Sequence, residues 1–179
     1  MDSNVKIMEI SNTIKDIVVF KPDIFYDFRG ENVESFNPSY YEKMGEHIPE
    51  FKDELRFTTD SFSFSTKHTL RGFHGDAKCW KLIQCLQGSV HLVVIDSRID
   101  SPTFKQHTSF NLNDKNRTQV LVPKGCVNAH LCLSDECVFS YKLTESYVCI
   151  KDQIHVKWND PEYNIYWPIK NPILSTRDR

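Results

Sequence analysis

The sequence is poor in glycine and lacks the glycine-rich motifs that bind phosphate groups. Only six of its 179 residues are glycine. It contains no Gly-x-Gly-x-x-Gly fingerprint, no Walker-type phosphate loop and no Gly-x-Ser-x-Gly nucleophile elbow. These absences argue against nicotinamide-dependent redox chemistry, phosphate-loop chemistry and catalysis by a nucleophilic serine.

Long hydrophobic runs and a strong charge of one sign are also lacking. No apolar stretch approaches the ~20 residues of a membrane span, and the formal net charge is -2. Residues 1–6 have no hydrophobic region like that of a signal peptide. The sequence therefore predicts a cytoplasmic protein that binds neither nucleic acid nor membranes.

The six cysteines do not have the spacing of zinc ligands or of a redox pair. They occupy positions 79, 85, 126, 132, 137 and 149, without a Cys-x-x-Cys pair. Several lie in apolar runs, as in Glu136-Cys137-Val138-Phe139. Because a free cysteine packs like a small hydrophobic residue, we expect buried free thiols.

Short runs of β-forming residues, separated by turn residues, dominate the second half of the chain. The first two runs, Lys81–Leu86 and Val90–Asp96, flank Gly88 and predict a hairpin. A short helix is predicted with Asn37 as its N-cap and Pro38 at its first helical position; Tyr40 to Met44 continue it and Gly45 ends it. Many short strands and little helix predict one all-β domain over residues 1–179, a sandwich or a barrel. The remaining predicted strands are Phe104–Leu112, Thr118–Val122, Val138–Leu143 and Ile154–Trp158.

Several residues are candidates for chemistry, although each has a plain structural interpretation when taken alone. His74 follows Arg71, and an arginine beside a titratable imidazole suits a site that holds a phosphate and moves a proton. Lys81 begins an apolar strand, where a solvated lysine is equally common. The other candidates are Tyr141, Tyr147 and Asp178.

A series of short motifs, in order along nearly the whole chain, resembles the dTDP-4-dehydrorhamnose 3,5-epimerase family. The resemblance implies a cupin fold, that is, a double-stranded β-helix jelly-roll barrel with short peripheral helices. It also implies a homodimer, a nucleotide-sugar substrate and no cofactor. The motifs include Asp27-Phe28-Arg29-Gly30, Leu70-Arg71-Gly72-Phe73-His74, Asp96-Ser97-Arg98, Val122-Pro123-Lys124-Gly125, Trp158-Asn159-Asp160-Pro161 and Leu174-Ser175-Thr176-Arg177-Asp178.

By this resemblance, the chain inverts C3, C5 or both in a nucleotide-linked 4-keto-(6-deoxy) sugar for surface-polysaccharide synthesis. His74 is then the base with Asp178 as its partner, Lys81 stabilises an enolate, and Tyr141 returns a proton from the opposite face. The substrate-binding residues implied are Arg29, Glu34, Arg71, Asn128, Tyr147 and Ser61.

The metal-binding motifs of cupin barrels are incomplete. His74-Gly75-Asp76 lacks the second histidine of the first motif, and Asn128 replaces the histidine of the second. Because a tight transition-metal site needs three or four ligands in fixed geometry, we expect no metal cofactor.

Some positions depart from the family pattern. Asn128 stands where the family has histidine, Leu92 where it often has aspartate, and residues 61–65 differ from its Asn-x-Ser-x-Ser segment. Such departures fit a pocket for a different base, such as the guanine of a GDP-linked sugar instead of the thymine of a dTDP-linked one. They also fit a pocket for a heptose instead of a hexose. The alternatives are a 3,4-ketoisomerase, a non-catalytic sugar-nucleotide-binding cupin and a metal-dependent cupin oxygenase or isomerase.

Overall fold

The structure, a computed structural model, describes residues 5–42, 55–146 and 153–179. Within these residues it contains thirteen β-strands and one five-residue helix, α1 (Pro38–Glu42). The strands are β1 (Val5–Ile10), β2 (Val18–Pro22), β3 (Ile24–Asp27), β4 (Gly30–Val33), β5 (Thr59–Thr66), β6 (Leu70–Gly75), β7 (Lys81–Gln87), β8 (Ser89–Asp96), β9 (His107–Asn113), β10 (Gln119–Val122), β11 (Cys126–Cys132), β12 (Glu136–Leu143) and β13 (Ile154–His155).

The strands form two main antiparallel sheets and a separate hairpin. One sheet has the order β1-β2-β10-β7-β12-β5, and the other has the order β13-β6-β11-β8-β9. Strands β3 and β4 pair only with each other. This two-sheet arrangement is a cupin jelly roll, which confirms the predicted fold class.

The predicted hairpin between Lys81–Leu86 and Val90–Asp96 is wrong, although both strands exist. Strand β7 pairs with β10 and β12 in the first sheet, whereas β8 pairs with β11 and β9 in the second. Gly88, at φ 77°, therefore carries the chain from one sheet to the other. Local sequence gives the turn but not which sheet the next strand joins, because both strands are apolar enough to be buried.

One buried cluster lies between the two sheets and contains four of the cysteines, and two further clusters cover the other face of each sheet. Every residue of β10 and β11 is buried, which suits central strands covered on both faces. The described cysteines, at positions 79, 85, 126, 132 and 137, are free and buried as predicted. Cys149 lies outside the described residues.

Helix α1 begins where the sequence predicted. The Asn37 side chain accepts hydrogen bonds from the backbone N–H of Ser39 (3.2 Å) and from its hydroxyl (2.9 Å), as an N-cap does. The predicted end of this helix, near Met44, lies outside the described residues. No helix in the described part of the chain is long and apolar enough to cross a membrane.

The Asp96-Ser97-Arg98 motif serves the fold. Asp96 is fully buried, and its carboxylate accepts hydrogen bonds from Arg98, Ser101 and Thr103. Burial raises the pKa of Asp96, but these hydrogen bonds together outweigh burial and lower the pKa to about 2. Arg98 also reaches Asp16 (2.8 Å), so the motif ties the β8–β9 connection to the loop before β2.

Candidate active site

A cavity of about 320 Å³ lies between the two sheets. Each sheet contributes one wall, because strands β6 and β11 belong to one sheet and β5, β7 and β12 to the other. The segments at residues 153 and 175–178 complete the lining. The lining residues are Ser63, Arg71, His74, Lys81, Ile83, Asn128, His130, Phe139, Tyr141, Leu143, Gln153, Ser175, Arg177 and Asp178.

His74 and Asp178 form a hydrogen-bonded pair in this cavity. His74 Nε2 lies 2.7 Å from Asp178 Oδ1, and the other carboxylate oxygen accepts a hydrogen bond from the Ser175 hydroxyl (2.9 Å). Asp178 is almost completely buried, whereas the His74 side chain is 26% exposed. Asp178 therefore fixes the orientation of an imidazole that remains open to a ligand.

The pKa of His74 is set by opposing influences. Burial lowers it, the Asp178 charge raises it, and Arg177 and His155 lower it further. The net pKa lies below the usual value of 6.5. The imidazole is consequently neutral near pH 7, as a proton acceptor must be.

Lys81 reaches the cavity from the start of β7. Its ammonium donates to the His74 carbonyl oxygen (2.9 Å) and to Asn128 Oδ1 (2.8 Å). Burial lowers the pKa of Lys81 to about 8, against the smaller opposing influence of Cys79, Asp76 and Cys126. The site thus holds a positive charge that is bonded to the backbone of the histidine with the neutral imidazole.

Tyr141 lies on β12, on the wall that belongs to the sheet opposite His74. It is half-buried, and so it presents a phenol across the cavity from the imidazole. Arg71 lines the same cavity and donates from Nε to the Ser65 hydroxyl (2.9 Å). An imidazole and a phenol on facing walls suit proton transfer to opposite faces of one bound ring.

Three predicted binding residues lie outside this cavity. Arg29 sits on the β3–β4 hairpin, paired with Asp27 (2.5 Å), and its side chain is 76% exposed. Glu34 follows the same hairpin and accepts a hydrogen bond from Asn37 (3.4 Å). Ser61 lies on β5 two residues from Ser63, which does line the cavity. Tyr147 lies outside the described residues.

His155 is a site residue that sequence reasoning missed. Antiparallel pairing of β13 with β6 sets it directly opposite His74, and the two rings stack with centroids 5.5 Å apart. Its Nε2 lies 3.9 Å from Asp178 Oδ1. No local pattern around residue 155 marks it, because only the tertiary pairing brings it to the site.

The fold is that of a cupin, and its paired histidine and aspartate lie between the two sheets. The family model described as dTDP-4-dehydrorhamnose 3,5-epimerase matches residues 11–179. The chain belongs to this family. A Shigella flexneri dTDP-4-dehydrorhamnose 3,5-epimerase is 36% identical over 172 residues, which cover 94% of this chain and 91% of the relative.

Solved structures agree with this assignment. The chain resembles a Bacillus anthracis dTDP-4-dehydrorhamnose 3,5-epimerase with TDP and PPi bound, at a TM-score of 0.88 and 36% identity. That match covers 98% of this chain and 97% of the other. A Legionella pneumophila dTDP-6-deoxy-D-glucose-3,5-epimerase in complex with dTDP-4-keto-L-rhamnose gives a TM-score of 0.86 at 32% identity, covering 98% and 90% of the two chains.

Proposed function

We propose that this chain inverts C3 and C5 of a nucleoside-diphosphate-linked 4-keto-6-deoxy sugar, with a dTDP-linked hexose as the reference substrate. The observation that carries the proposal is the His74–Asp178 pair, which faces Lys81 and Tyr141 within one cavity. The relatives support it, since they are named for this activity and one was solved with dTDP-4-keto-L-rhamnose.

His74 acts as the base through Nδ1. Because Nε2 is engaged by Asp178, the Nδ1 lone pair is the one left to accept a proton. The hydrogens on C3 and C5 are acidic because both carbons are adjacent to the C4 carbonyl. Removing either proton sends the electron pair of the C–H bond to the C4 oxygen, and Asp178 stabilises the imidazolium that forms.

Lys81 stabilises the enolate oxygen. An imidazole with a pKa near or below 6.5 cannot remove such a proton unaided. A preorganised cation that faces the C4 oxygen lowers the energy of the transition state because negative charge develops there. The hydrogen bonds of Lys81 to His74 and Asn128 hold its ammonium in place before the substrate arrives.

Tyr141 returns a proton to the opposite face of the sugar ring. It stands on the other sheet from His74, and inversion requires that the new C–H bond forms on the side opposite the one that was broken. The enolate carbon is basic enough to take a proton from a phenol. Solvent then restores the tyrosine proton and removes the one that His74 accepted.

A homodimer accounts for the position of Arg29. The β3–β4 hairpin pairs with neither main sheet and exposes a cluster of aromatic side chains, with Phe28 97% exposed. Exposed aromatic clusters of this kind mark protein–protein contacts. In the proposed dimer the hairpin packs on the partner copy and brings Arg29 and Glu34 to that copy's cavity. Its exposed aromatic residues are Phe25, Tyr26 and Phe28.

The decisive experiment is incubation with a panel of 4-keto sugars in D₂O, followed by NMR. The panel contains dTDP- and GDP-linked forms of a 6-deoxyhexose and a 6-deoxyheptose, so that it also reports the base and the chain length that the pocket accepts. We expect deuterium at C3 and C5 with inverted products. His74→Asn should slow exchange by at least about 10²-fold, the usual contribution of a general base.

A matched control is His68→Asn, which changes an exposed histidine on the β5–β6 turn. It should leave exchange at the wild-type rate. Exchange that persists in His74→Asn would overturn the assignment of the base. A product with the keto group moved to C3 would identify a ketoisomerase. No reaction with any sugar would indicate a non-catalytic protein that binds sugar nucleotides.

A further inference from the structure

His74, His155 and Asp178 form a cluster of potential metal ligands at the edge of the cavity. One ligand atom from each residue lies within 4.8 Å of the others. The three residues come from β6, β13 and the C-terminal segment, so the fold and not a local motif assembles them. Two imidazoles and one carboxylate form a donor set that zinc and similar divalent transition metals favour.

Two of the three distances between ligand atoms in this cluster lie on either side of the spacing expected around a tetrahedrally coordinated ion. At the usual bond lengths to zinc, neighbouring ligand atoms stand about 3.3 Å apart. The His74–Asp178 contact is 2.7 Å and the His155–Asp178 contact is 3.9 Å. An ion would widen the first contact and draw in the second. The His155 side chain is 33% exposed and can make that movement from the solvent side.

The surroundings complete the features of a metal site. The second oxygen of Asp178 accepts a hydrogen bond from Ser175 (2.9 Å), as carboxylate ligands commonly do from a supporting residue. Three ligands leave a fourth position open to water. Lys81 and Arg177 line the same cavity and add positive charge nearby, which weakens the binding of a cation.

We propose that a divalent transition metal, with Zn²⁺ as the reference ion, binds His74, His155 and Asp178 and inhibits the enzyme. Binding through His74 Nε2 requires a lone pair on that nitrogen. The imidazole stays neutral, and its proton moves from Nε2 to Nδ1. The Nδ1 lone pair that would accept the substrate proton is then lost, and the hydrogen bond to Asp178 is replaced by the metal.

The binding test uses metal-stripped full-length protein and Zn²⁺ in competition with a chromophoric chelator. We expect one ion per chain in the wild type and at least a tenfold weaker affinity in both His155→Asn and His155→Gln. His68→Asn is the matched control and should bind as the wild type does. Asparagine tolerates the φ of 68° at that position.

Three results would overturn the site. One is unchanged affinity in folded His155 variants, with folding checked by their urea unfolding midpoints. Another is thiolate-to-metal charge-transfer absorption in the Co²⁺-loaded protein, which would place the ion on cysteine. Failure of the wild type to bind Zn²⁺ at micromolar concentrations would overturn it as well.

The inhibition experiment rests on the proposed function, whereas the binding experiment does not. Zn²⁺ should inhibit wild-type deuterium exchange with a midpoint that follows its binding affinity, and EDTA should restore the rate. Each variant is compared with its own metal-free rate, and the midpoint should rise at least tenfold in His155→Asn. Metal binding without exchange on any sugar would refute the epimerase and keep the site. Activation by Zn²⁺ would overturn the inhibitory role.

Discussion

Lys81 is the residue whose ionisation most directly limits the proposed reaction. Burial lowers its pKa to about 8, and only the protonated amine can stabilise an enolate. We therefore predict that kcat/KM falls as the pH rises through about 8, by about tenfold per pH unit beyond it. The measurement is a pH profile of exchange rate at subsaturating substrate.

Lys81→Met provides the test of this assignment. Loss of one preorganised group of this kind typically costs about 10² to 10³ in kcat. A wild-type profile that stays flat well above the pKa of Lys81, or a Lys81→Met variant with normal kcat, would contradict the role given to this amine.

His130 makes the fold sensitive to acid. It is buried and stacked on Phe139 at a ring-centroid distance of 3.7 Å, and burial lowers its pKa to about 3, with Arg71 and His74 acting in the same direction. In the unfolded chain a histidine titrates near pH 6.5. Below that pH only the unfolded chain gains the proton, so this stability is present above pH 6.5 and is lost as the pH falls toward 3.

His130→Phe removes this dependence. Between pH 7 and pH 5, the decline in the free energy of unfolding should be smaller by about 2 kcal/mol in the variant. Urea unfolding at the two pH values measures it, with the exposed His68→Asn as the control that should decline like the wild type. Equal declines in His130→Phe and wild type would show that another group causes the acid sensitivity.

At the scale of elements, the turn at Gly88 determines how the two sheets are joined. A Cβ added to Gly88 would lie 2.2 Å from the Glu136 carbonyl oxygen and 2.4 Å from the Ser134 hydroxyl. The positive φ adds backbone strain for any other residue. Gly88→Ala should therefore lower the free energy of unfolding by more than about 1 kcal/mol.

Gly30→Ala is the matched control for Gly88→Ala. Gly30 also has a positive φ, but an added Cβ meets no atom of the described residues within 4 Å. Urea unfolding of both variants separates backbone strain from the steric contact, and Gly88→Ala should lose more stability. A smaller loss at Gly88 than at Gly30 would mean that the β8 and β12 ends move apart at little cost.

Six of the thirteen described strands were predicted from the sequence, whereas their partners were not. Runs of β-forming residues bounded by turn residues placed β7, β8, β10 and β12 to within one or two residues. Pairing depends on contacts across the whole chain, and nothing in the local pattern of β7 selects β10 or β12 over β8. The same limit applies to the site. The motif resemblance indicated His74 and Asp178, but His155 needed the pairing of β13 with β6.

At the scale of the whole molecule, the proposed dimer predicts that two damaged copies can complement each other. The His74→Asn homodimer lacks the base, and an Arg29→Ala homodimer lacks the arginine that each copy supplies to its partner. The two variants are mixed under conditions in which their subunits swap. This should restore deuterium incorporation into the sugar, because one of the two sites in the mixed dimer is then intact. Light scattering should give twice the chain mass.

Two results would contradict this arrangement. One is a monomeric wild-type protein, and the other is a mixture no more active than the sum of its parts. Phe28→Ser serves as the companion variant, since it weakens the hairpin contact and leaves the residues of the cavity unchanged. It should shift the protein toward monomer and lower activity at low protein concentration.

The crossing at Gly88 also bears on how quickly this chain reaches its native state. Several neighbouring strands in the two sheets come from distant parts of the sequence, as when Thr59–Thr66 pairs with Glu136–Leu143. Chains dominated by such distant pairings have high contact order and fold in about milliseconds to seconds. The first sheet cannot be completed until β12 has been synthesised, so the apolar strand β7 lacks one of its two partners until then. Aggregation during synthesis is therefore the main hazard of this topology.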